Sequence, residues 1–506
     1  MTAFQHIRSG VCIAALFTGT AAMADVTAQQ VWDDWQANLG LYGNDSVTVG
    51  SQSLVGGVLT VTDLAINSDD GSTALSATLA SLVFTENGDG TVSVTMSDEY
   101  PFTATTTPEF GPAQEITGAL RSTGMAITVE GTPEEMFYAI SADRYAVHVD
   151  NVSEDGTVIV NDMLFAFNDL MGQYRTATRD DGKRLVEYNV GSGSLDVLLD
   201  VDNPDEDTVL TLSGKIEGLR TNAIVVMPAD AAVIEPEQMF AAGLEIAGGY
   251  DYEAANYMFS MTQFGDTTNG TASVPSGGEL TVSMDADQVG FDSKVNGVEV
   301  NVSGDMMPFP ITVSLAEYGF GILMPLSKSD TPEDFAALVN LSGLSVNDEI
   351  WSMLDPGAVL PRDPITAIID LSGKARLFYD ILDPAQADAM AMADVPGALD
   401  AITLNAFALE AGGASITGEG GFTLDNTDMT TIPGFPRPQG EVNLAINGLN
   451  GLLDKLVQMG LLPEDQAMMP RMMMGMFATT VGPDQLTSKI EINAEGHILA
   501  NGQRIQ

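Results

Sequence analysis

Apolar and polar residues alternate one by one along much of this 506-residue chain. The pattern is clearest in Val58-Leu59-Thr60-Val61-Thr62-Asp63-Leu64-Ala65-Ile66 and in Thr91-Val92-Ser93-Val94-Thr95-Met96. Neighbouring side chains of a β-strand point to opposite faces of a sheet, so a period of two predicts strands with one apolar face. Just before the second segment, Glu86-Asn87-Gly88-Asp89-Gly90 predicts an antiparallel hairpin, because Asn and Gly accept the positive φ of a tight turn.

The same alternation recurs downstream, and many of the segments are bounded by Gly, Asn or Asp. It predicts strands at about Tyr145–Val149, Thr157–Val160, Leu195–Val201, Thr208–Leu212, Tyr252–Thr262, Glu279–Met284, Gly297–Val302, Ile311–Leu315, Ile365–Leu371, Ile402–Leu409 and Ala414–Leu424. We therefore expect a mainly β protein of the α+β type, with large antiparallel curved sheets and a few short helices. A turn-rich stretch near residue 235 predicts a division into two β-rich regions, 25–235 and 236–506, of which the second carries helices.

Helix signals interrupt the strands at four places. Thr27-Ala28-Gln29-Gln30 is a capping box, followed by Val31, Trp35 and Leu39 on one helical face. Thr331-Pro332-Glu333-Asp334, followed by Phe335, Leu338 and Val339, predicts a second helix start, with a capping Thr and Pro at the first helical position. A short helix is expected near Asp348–Leu354. Leu449–Met459 and Pro463–Ala478 predict a helical pair close to the end of the chain, before two strands at Ser488–Ala494 and His497–Ala500.

Residues 1–24 have the three parts of a secretory signal peptide. Arg8 gives a short basic lead, an apolar run follows from Val11, and Ala22-Met23-Ala24 is a small-residue cleavage site. The sequence thus predicts export to the periplasm. Cleavage would also remove Cys12, the single cysteine of the chain, which excludes disulfides and thiolate chemistry in the mature protein.

The charge of the chain is strongly negative. Without residues 1–24, which contain Arg8 and no acidic residue, 18 basic residues stand against 70 acidic ones, a net charge of −52. Such a charge repels nucleic acid and anionic lipid surfaces. A cation-binding surface and a general solubility device both explain it, and the second is favoured because the acids are scattered through turns and loops. No segment after the leader has the ~20 apolar residues of a membrane-spanning helix.

Two histidines remain after the leader. His148 alternates with Tyr145, Val147 and Val149, so we interpret it as a surface imidazole and not as a general base. His497, beside Gly496, is interpreted in the same way. The chain has no Gly-x-Ser-x-Gly elbow, no His-Glu-x-x-His pair and no phosphate-binding loop. It therefore predicts no catalytic residue, no metal site and no cofactor.

Two local clusters have alternative interpretations. The acidic stretch Asp200–Asp207 offers oxygen ligands for Ca²⁺, but it lacks the spacing of an EF-hand, so a solvated hairpin end is favoured. Near the C-terminus, Met469, Met472, Met473 and Met476 fall on one helical face. Core packing is favoured for these four methionines, and they are also weak candidates for an apolar ligand surface or, less favoured still, for Cu(I) ligation.

Several motifs resemble one family. The stretch Ile350-Trp351-Ser352-Met353-Leu354-Asp355-Pro356, the continuation Leu360-Pro361-Arg362-Asp363-Pro364, and Asp370-Leu371-Ser372-Gly373-Lys374 are similar to exported proteins of the domain of unknown function 2125 family. The ending Gly496-His497-Ile498-Leu499-Ala500-Asn501-Gly502 is similar too. The resemblance implies a β-rich envelope protein of Gram-negative bacteria. It implies no activity, and no functional residue can be transferred.

These observations predict a non-enzymatic periplasmic envelope protein. We expect a curved sheet to present an apolar face to a lipid or another hydrophobic small molecule, because nothing in the sequence supplies reactive groups. Two alternatives remain open. A carboxylate-dependent secreted hydrolase needs only two acids about 5 to 10 Å apart, and an outer-membrane barrel would show the same alternation but also aromatic girdles. The oligomeric state cannot be predicted from the sequence.

Overall fold

The computed structural model describes residues 26–39, 47–69, 71–107, 112–229, 231, 234, 238–393 and 395–505. The predicted signal peptide lies outside these residues. Its export prediction therefore stays a prediction. The side chains of Ala37, Asn38 and Leu39 and all of residues 40–46 also lie outside the described part.

Strands dominate the structure, with 65% of the chain in strands and 11% in helices. The strands are β1 Val47–Val55, β2 Val58–Asp69, β3 Thr73–Glu86, β4 Val92–Met96, β5 Glu99–Thr106, β6 Gln114–Thr123, β7 Ala126–Thr132, β8 Glu135–Glu154, β9 Thr157–Thr178, β10 Arg184–Asn203, β11 Thr208–Met227, β12 Glu245–Tyr252, β13 Ala254–Gln263, β14 Asp266–Val274, β15 Gly278–Met284, β16 Gln288–Gly304, β17 Ile311–Pro325, β18 Glu333–Val346, β19 Ile365–Leu377, β20 Gly397–Ala411, β21 Ala414–Asp425, β22 Arg437–Asn447, β23 Thr479–Gly482, β24 Gln485–Ile492, β25 Ile498–Ala500 and β26 Gln503–Arg504. The helices are α1 Ala28–Leu39, α2 Asp348–Leu354, α3 Ala387–Ala391, α4 Leu449–Gln458 and α5 Glu464–Phe477.

All 26 strands belong to one sheet, and every pair of named strands is antiparallel. The predicted mainly β, antiparallel fold is confirmed. Several strands are much longer than the alternation predicted, since β8, β9, β10 and β11 have 20 or 22 residues each. The sheet also continues across residue 235, because β11 pairs with both β12 and β13. The division of the chain into two regions at that point stays a prediction.

One arrangement of strands occurs twice in this sheet. The two halves of β3 pair with β5 and β4, and these strands reach the two halves of β8 through β6 and β7. The two halves of β11 pair with β13 and β12, which reach the two halves of β16 through β14 and β15. In both copies a glycine with φ +66° turns the chain between the inner strands, at Gly124 and Gly277. The sheet thus contains a duplicated unit of four short strands between two long ones.

The N-terminal part of the sheet carries the largest hydrophobic core. Helix α1 packs Val31 and Trp32 against Leu59, Leu82 and Phe84, all with no exposed surface. The Trp32 and Phe84 ring centroids are 5.9 Å apart. This core extends over β4, β7 and β8. It therefore forms where a helix adds a second layer to the sheet.

Polar contacts hold α1 in place. The predicted capping box is confirmed, since the Thr27 N–H donates to Gln30 Oε1 at 2.9 Å and the Gln30 N–H donates to Thr27 Oγ1 at 3.3 Å. On the next turn, Asp34 accepts hydrogen bonds from Tyr138 Oη and from Arg184 Nη2, both at 2.7 Å. Burial, followed by the charge of Asp34, raises the pKa of Tyr138 well above its usual range. The helix is thereby tied to β8 and β10.

The other helix predictions had mixed outcomes. Helix α2 at Asp348–Leu354 and the helical pair α4 and α5 are confirmed. The helix predicted from Thr331 is wrong, because residues from Glu333 onward form strand β18. Phe335, Ala337, Val339 and Leu341 alternate along β18, which pairs with β17 and β19 on its two sides. Thr331 and Ser329 instead donate side-chain hydrogen bonds to Glu333 before the strand begins.

Outside the N-terminal core, most described strand residues are only partly buried. The other two buried apolar clusters of the described residues, around Ile446 and around Leu323, are small. Among the described residues, none of the helices has the length and apolar character that a membrane crossing requires.

Candidate ligand-binding face

Strands β15 to β24 bring their apolar residues together on one side of the sheet. Directly paired residues of antiparallel strands have their side chains on the same face, so the pairing register assigns each residue to a face. Three rows cross the strands on this side. The first is Val282, Phe291, Ile322, Ala337, Leu371, Leu404, Gly420, Val442 and Ile490. The second is Leu280, Ser293, Phe320, Val339, Ile369, Phe407, Gly418, Leu444 and Ser488, and the third is Val295, Tyr318, Leu341, Ala367, Leu409, Ile416, Ile446 and Leu486.

We call these three rows the apolar face. They contain no charged residue, and their polar side chains are two serines and Tyr318. The opposite side of the same strands carries ion pairs: Lys294 Nζ lies 2.7 Å from Glu317 Oε2, Lys374 Nζ lies 2.8 Å from Asp334 Oδ1, and Lys489 Nζ lies 2.7 Å from Glu441 Oε2. The two sides of this region of the sheet therefore differ sharply in chemistry.

The central part of the apolar face is open. Its larger side chains keep between 36% and 46% of their surface exposed in Val282, Phe320, Ile322, Val339, Leu341, Ile369 and Leu409. Apolar side chains on a sheet normally pack against a second layer, as around α1, so large exposed apolar patches mark interaction sites. The arrangement offers dispersion contacts and a water-excluding surface.

One end of the apolar face is covered by the helical pair. Leu453 of α4 and Met474 of α5 pack against Ile446 and Leu486, which belong to the third row. Asp484 anchors α4, since its carboxylate accepts the N–H groups of Asn450 at 3.2 Å and of Gly451 at 2.9 Å. Burial opposes these hydrogen bonds, but on balance the pKa of Asp484 lies below its usual range. The two helices thus cover the last strands and do not pack against β15 to β20.

The structure places the methionine candidates on the surface. Met469, Met472, Met473 and Met476 have 64%, 62%, 53% and 58% of their surface exposed. The favoured core interpretation of these four residues is wrong, because Met474 and Ala467 take the buried positions of α5. Their role as an apolar ligand surface stays a prediction. They do not line the open part of the apolar face, since they lie on the far side of the helix that covers its end.

The histidines lie where ordinary surface contacts explain them. His148 Nε2 lies 2.6 Å from Asp162 Oδ1 and Nδ1 lies 3.3 Å from Asp150 Oδ1, with Arg121 as a further neighbour. Its side chain is 27% exposed, so it is less open to solvent than predicted. His497 lies in the connection between β24 and β25, and its N–H donates to Asn493. Within the described residues, no group of three or more His, Cys, Asp or Glu side chains is arranged to hold a metal ion.

The acidic stretch Asp200–Asp207 forms the end of the β10–β11 hairpin, as the favoured interpretation predicted.

Two of the motifs behind the family resemblance, at residues 350–356 and 360–364, lie in the connection from β18 to β19. Asp355 is 2% exposed, and the Leu360 N–H donates to its Oδ2 at 2.7 Å. This hydrogen bond holds the pKa of Asp355 below its usual range. Arg362 Nη1 lies 2.6 Å from Asp348 Oδ1. The motif therefore folds a compact connection between the two strands.

Comparison with known families supports this resemblance. Residues 250–495 match the family described as "Uncharacterized protein conserved in bacteria (DUF2125)". We call residues 250–495, which match this family model, the DUF2125 region. The open apolar face lies within the DUF2125 region, as do both helices of the pair. No curated protein matches the chain.

A search of solved structures gave one weak match. The FrpB iron transporter from Neisseria meningitidis (F5-1 variant, apoprotein form) has 10% sequence identity and a TM-score of 0.15, covering 88% of this chain and 76% of that chain. A likeness at this level carries no argument about the fold or function of the DUF2125 region.

Several members of the apolar face lie outside the predicted strands. The run Tyr318-Gly319-Phe320-Gly321-Ile322 alternates as clearly as the predicted strand Ile311–Leu315, so the same signal extends that strand to Phe320 and Ile322. No local pattern in the sequence indicates that this face stays exposed.

Proposed function

We propose that this chain is a non-enzymatic envelope protein, exported through residues 1–24, that holds acyl chains of a lipid on the apolar face. The observation that carries the proposal is the open face itself: seven large apolar side chains from five of the six strands β15 to β20, more than a third exposed, in rows without a charge.

The dimensions of the face suit an acyl chain. From β15 to β20 it spans five strand spacings, about 24 Å, and its three rows span about 14 Å along the strands. The hydrocarbon part of one bilayer leaflet is about 15 Å thick, so an acyl chain of ordinary length fits in either direction. Each methylene group buried there contributes about 0.8 kcal/mol, and part of this gain offsets the entropy lost on binding.

The negative charge of the chain limits which lipids the apolar face can bind. The chain carries a net charge of −51, which repels anions at low ionic strength. The rows supply few hydrogen-bonding groups to recognise a polar ligand. A lipid with a neutral or zwitterionic head group, bound mainly through its chains, is therefore the ligand that the face fits best.

The test is binding of a fluorescent fatty acid ester to the purified protein, combined with native mass spectrometry of protein isolated from the periplasm. We expect Ile369→Glu, in the middle of the second row, to weaken binding by roughly tenfold or more. Thr403→Glu is the matched control, since Thr403 is an exposed residue on the opposite face of the adjacent strand β20. Equal effects of the two variants, or a wild-type protein that binds no probe and carries no lipid, would refute the proposal.

A further inference from the structure

Two rows of the apolar face continue beyond β15 and reach tyrosines. In the second row, Leu280 is paired with Tyr250 of β12. In the third row, Val295 is paired with Gly278, and Gly278 is paired with Tyr252 of β12. Directly paired residues share a face of the sheet. The two tyrosines therefore lie on the same side as the apolar face, one strand beyond its edge.

A third tyrosine joins this pair. The Tyr250 and Tyr252 rings are stacked, with their centroids 6.5 Å apart. Strand β11 pairs with both β12 and β13, and Gly218, with a φ of +62°, bends β11 between them. Burial raises the pKa of Tyr252 and of Tyr257 on β13, and the neighbouring Tyr250 raises both further. We call Tyr250, Tyr252 and Tyr257 the tyrosine cluster.

Glycines on the paired strands make room for two of these rings. A Cβ atom at Gly278 would lie 2.9 Å from Tyr252 Oη. Gly214, which is paired with Tyr257, lies against the ring of that tyrosine in the same way. Both rings thus lie over the backbone of the next strand and are not packed against another side chain there.

The cluster presents polar atoms beside an apolar surface. None of the described residues forms a hydrogen bond with its three hydroxyl groups. Asp251, between two of the tyrosines in the sequence, points to the opposite side, where its Oδ1 lies 2.6 Å from Arg220 Nη2. Tyr250 is 41% exposed, and the other two tyrosines are half-buried. The hydroxyls stay protonated at neutral pH, so each can donate a hydrogen bond to a ligand.

We propose that the tyrosine cluster holds the ester end of the lipid whose acyl chain lies on the apolar face. This inference rests on the proposed function. A phenol donates a hydrogen bond to an ester carbonyl oxygen, and its ring contacts the adjacent methylene groups. From Tyr250 the second row leads through Leu280 and Phe320 to Ile369, five strand spacings or about 24 Å away.

Charge favours an ester over a free carboxylate. The chain has a net charge of −51, which repels an anion. The nearest cation, Arg220, is paired with Asp251 on the other side of the sheet. The cluster therefore offers hydrogen-bond donors without a positive charge, which suits a neutral carbonyl oxygen.

The experiment compares the binding of two pyrene-labelled probes of equal chain length, a methyl ester and an alkane, to the purified full chain. The double variant Tyr250→Phe, Tyr252→Phe removes two hydroxyls and keeps both rings. We expect this variant to bind the ester about tenfold more weakly than the wild type, as for the loss of two hydrogen bonds, and the alkane equally well. Tyr318→Phe, in the third row on β17, is the matched control and should bind both probes normally.

Infrared spectroscopy of the bound ester reads out the hydrogen bond directly. The carbonyl stretch should move to lower frequency in the wild type and in Tyr318→Phe, and it should not move in the double variant. A shift that persists without the two hydroxyls would contradict the proposal.

Four binding results would also overturn it: unchanged ester affinity in the double variant, an equal loss for ester and alkane, an equal loss of ester affinity in Tyr318→Phe, or tighter wild-type binding of the free fatty acid than of its methyl ester. In each case the wild type still binds an acyl probe, so the proposed function stands. A wild-type protein that binds neither ester nor alkane contradicts the proposed function itself. Ile369→Glu should weaken binding of both probes, which separates loss of the apolar face from loss of the tyrosine hydroxyls.

Discussion

The N-terminal core and the open region of the sheet are built from the same kind of strand but end in different environments. Around α1, Trp32, Leu59 and Phe84 have no exposed surface, whereas Phe320 and Ile369 on the apolar face keep 38% and 46% exposed. The sequence alternates equally well in both regions. An alternating strand thus determines that a sheet has an apolar side, and a separate segment, here α1, determines whether that side becomes a core.

The largest expected difference between the two regions is in the free energy of unfolding that is lost when an aromatic side chain is removed. Trp32→Ala should lower the free energy of unfolding by about 3 to 5 kcal/mol, because it leaves a cavity in a packed core. Phe320→Ala should cost about 1 kcal/mol or less, because the side chain is partly solvated already. Urea unfolding followed by circular dichroism measures both. Equal losses of unfolding free energy in the two variants would contradict the difference between the two regions.

The second prediction concerns the attachment of α1. Asp34→Ala removes the acceptor shared by Tyr138 and Arg184 and should destabilise the protein by about 2 kcal/mol, since two part-buried donors lose their partner. Asp33→Ala, at an exposed position of the same helix, should change the free energy of unfolding by less than about 0.5 kcal/mol. Thermal unfolding of the two variants side by side tests this. If both are equally stable, the layer over the N-terminal core does not depend on Asp34.

The third prediction concerns the other covered end of the sheet. Asp484→Ala should destabilise the α4–α5 pair by about 1 kcal/mol, as expected for loss of a helix cap, and should speed amide exchange in α4. Since the pKa of Asp484 is lower in the folded state, its contribution is complete above about pH 4 and is lost as the pH falls through the folded value. The variant and the wild type should therefore converge in acid. Glu495→Ala, exposed in the turn between β24 and β25, should leave α4 exchange unchanged.

The smallest expected effect is at the centre of the open region. Ile369→Gln should change the free energy of unfolding by less than about 0.5 kcal/mol, because surface substitutions seldom do more. The same change should reduce the fluorescence of a dye that binds exposed apolar surface. A loss of several kcal/mol would mean that another layer packs on the apolar face in solution.

Local signals predicted local structure well. The capping box Thr27–Gln30, the hairpin at Glu86–Gly90 and the α4–α5 pair depend on contacts within a few residues, and all three are confirmed. At Thr331 two local signals competed. The helix-start residues lost to the alternation of β18, because pairing with two neighbouring strands satisfies more backbone groups than a single helical turn would.

The environment of each apolar side could not be predicted in this way. Met469, Met472, Met473 and Met476 do share a helical face, but only the position of β24 shows that this face points outward. In the same way, the rows of the apolar face are visible as periodicity, while their exposure depends on what the rest of the chain leaves uncovered. Whether an apolar face is covered depends on contacts between distant parts of the chain, so the sequence of one strand does not predict it.

The duplicated unit has a consequence for how molecules of this kind can change in size. Each copy starts and finishes on a long strand. An open antiparallel sheet can therefore accept another copy between the existing ones, and each strand is still paired on both sides. Because two short strands lie end to end along one long strand, each added pair of short strands, like each added long strand, would extend the sheet by about 4.8 Å. Related chains can therefore differ in the width of the sheet by whole copies of the unit, while the ends that helices cover stay unchanged.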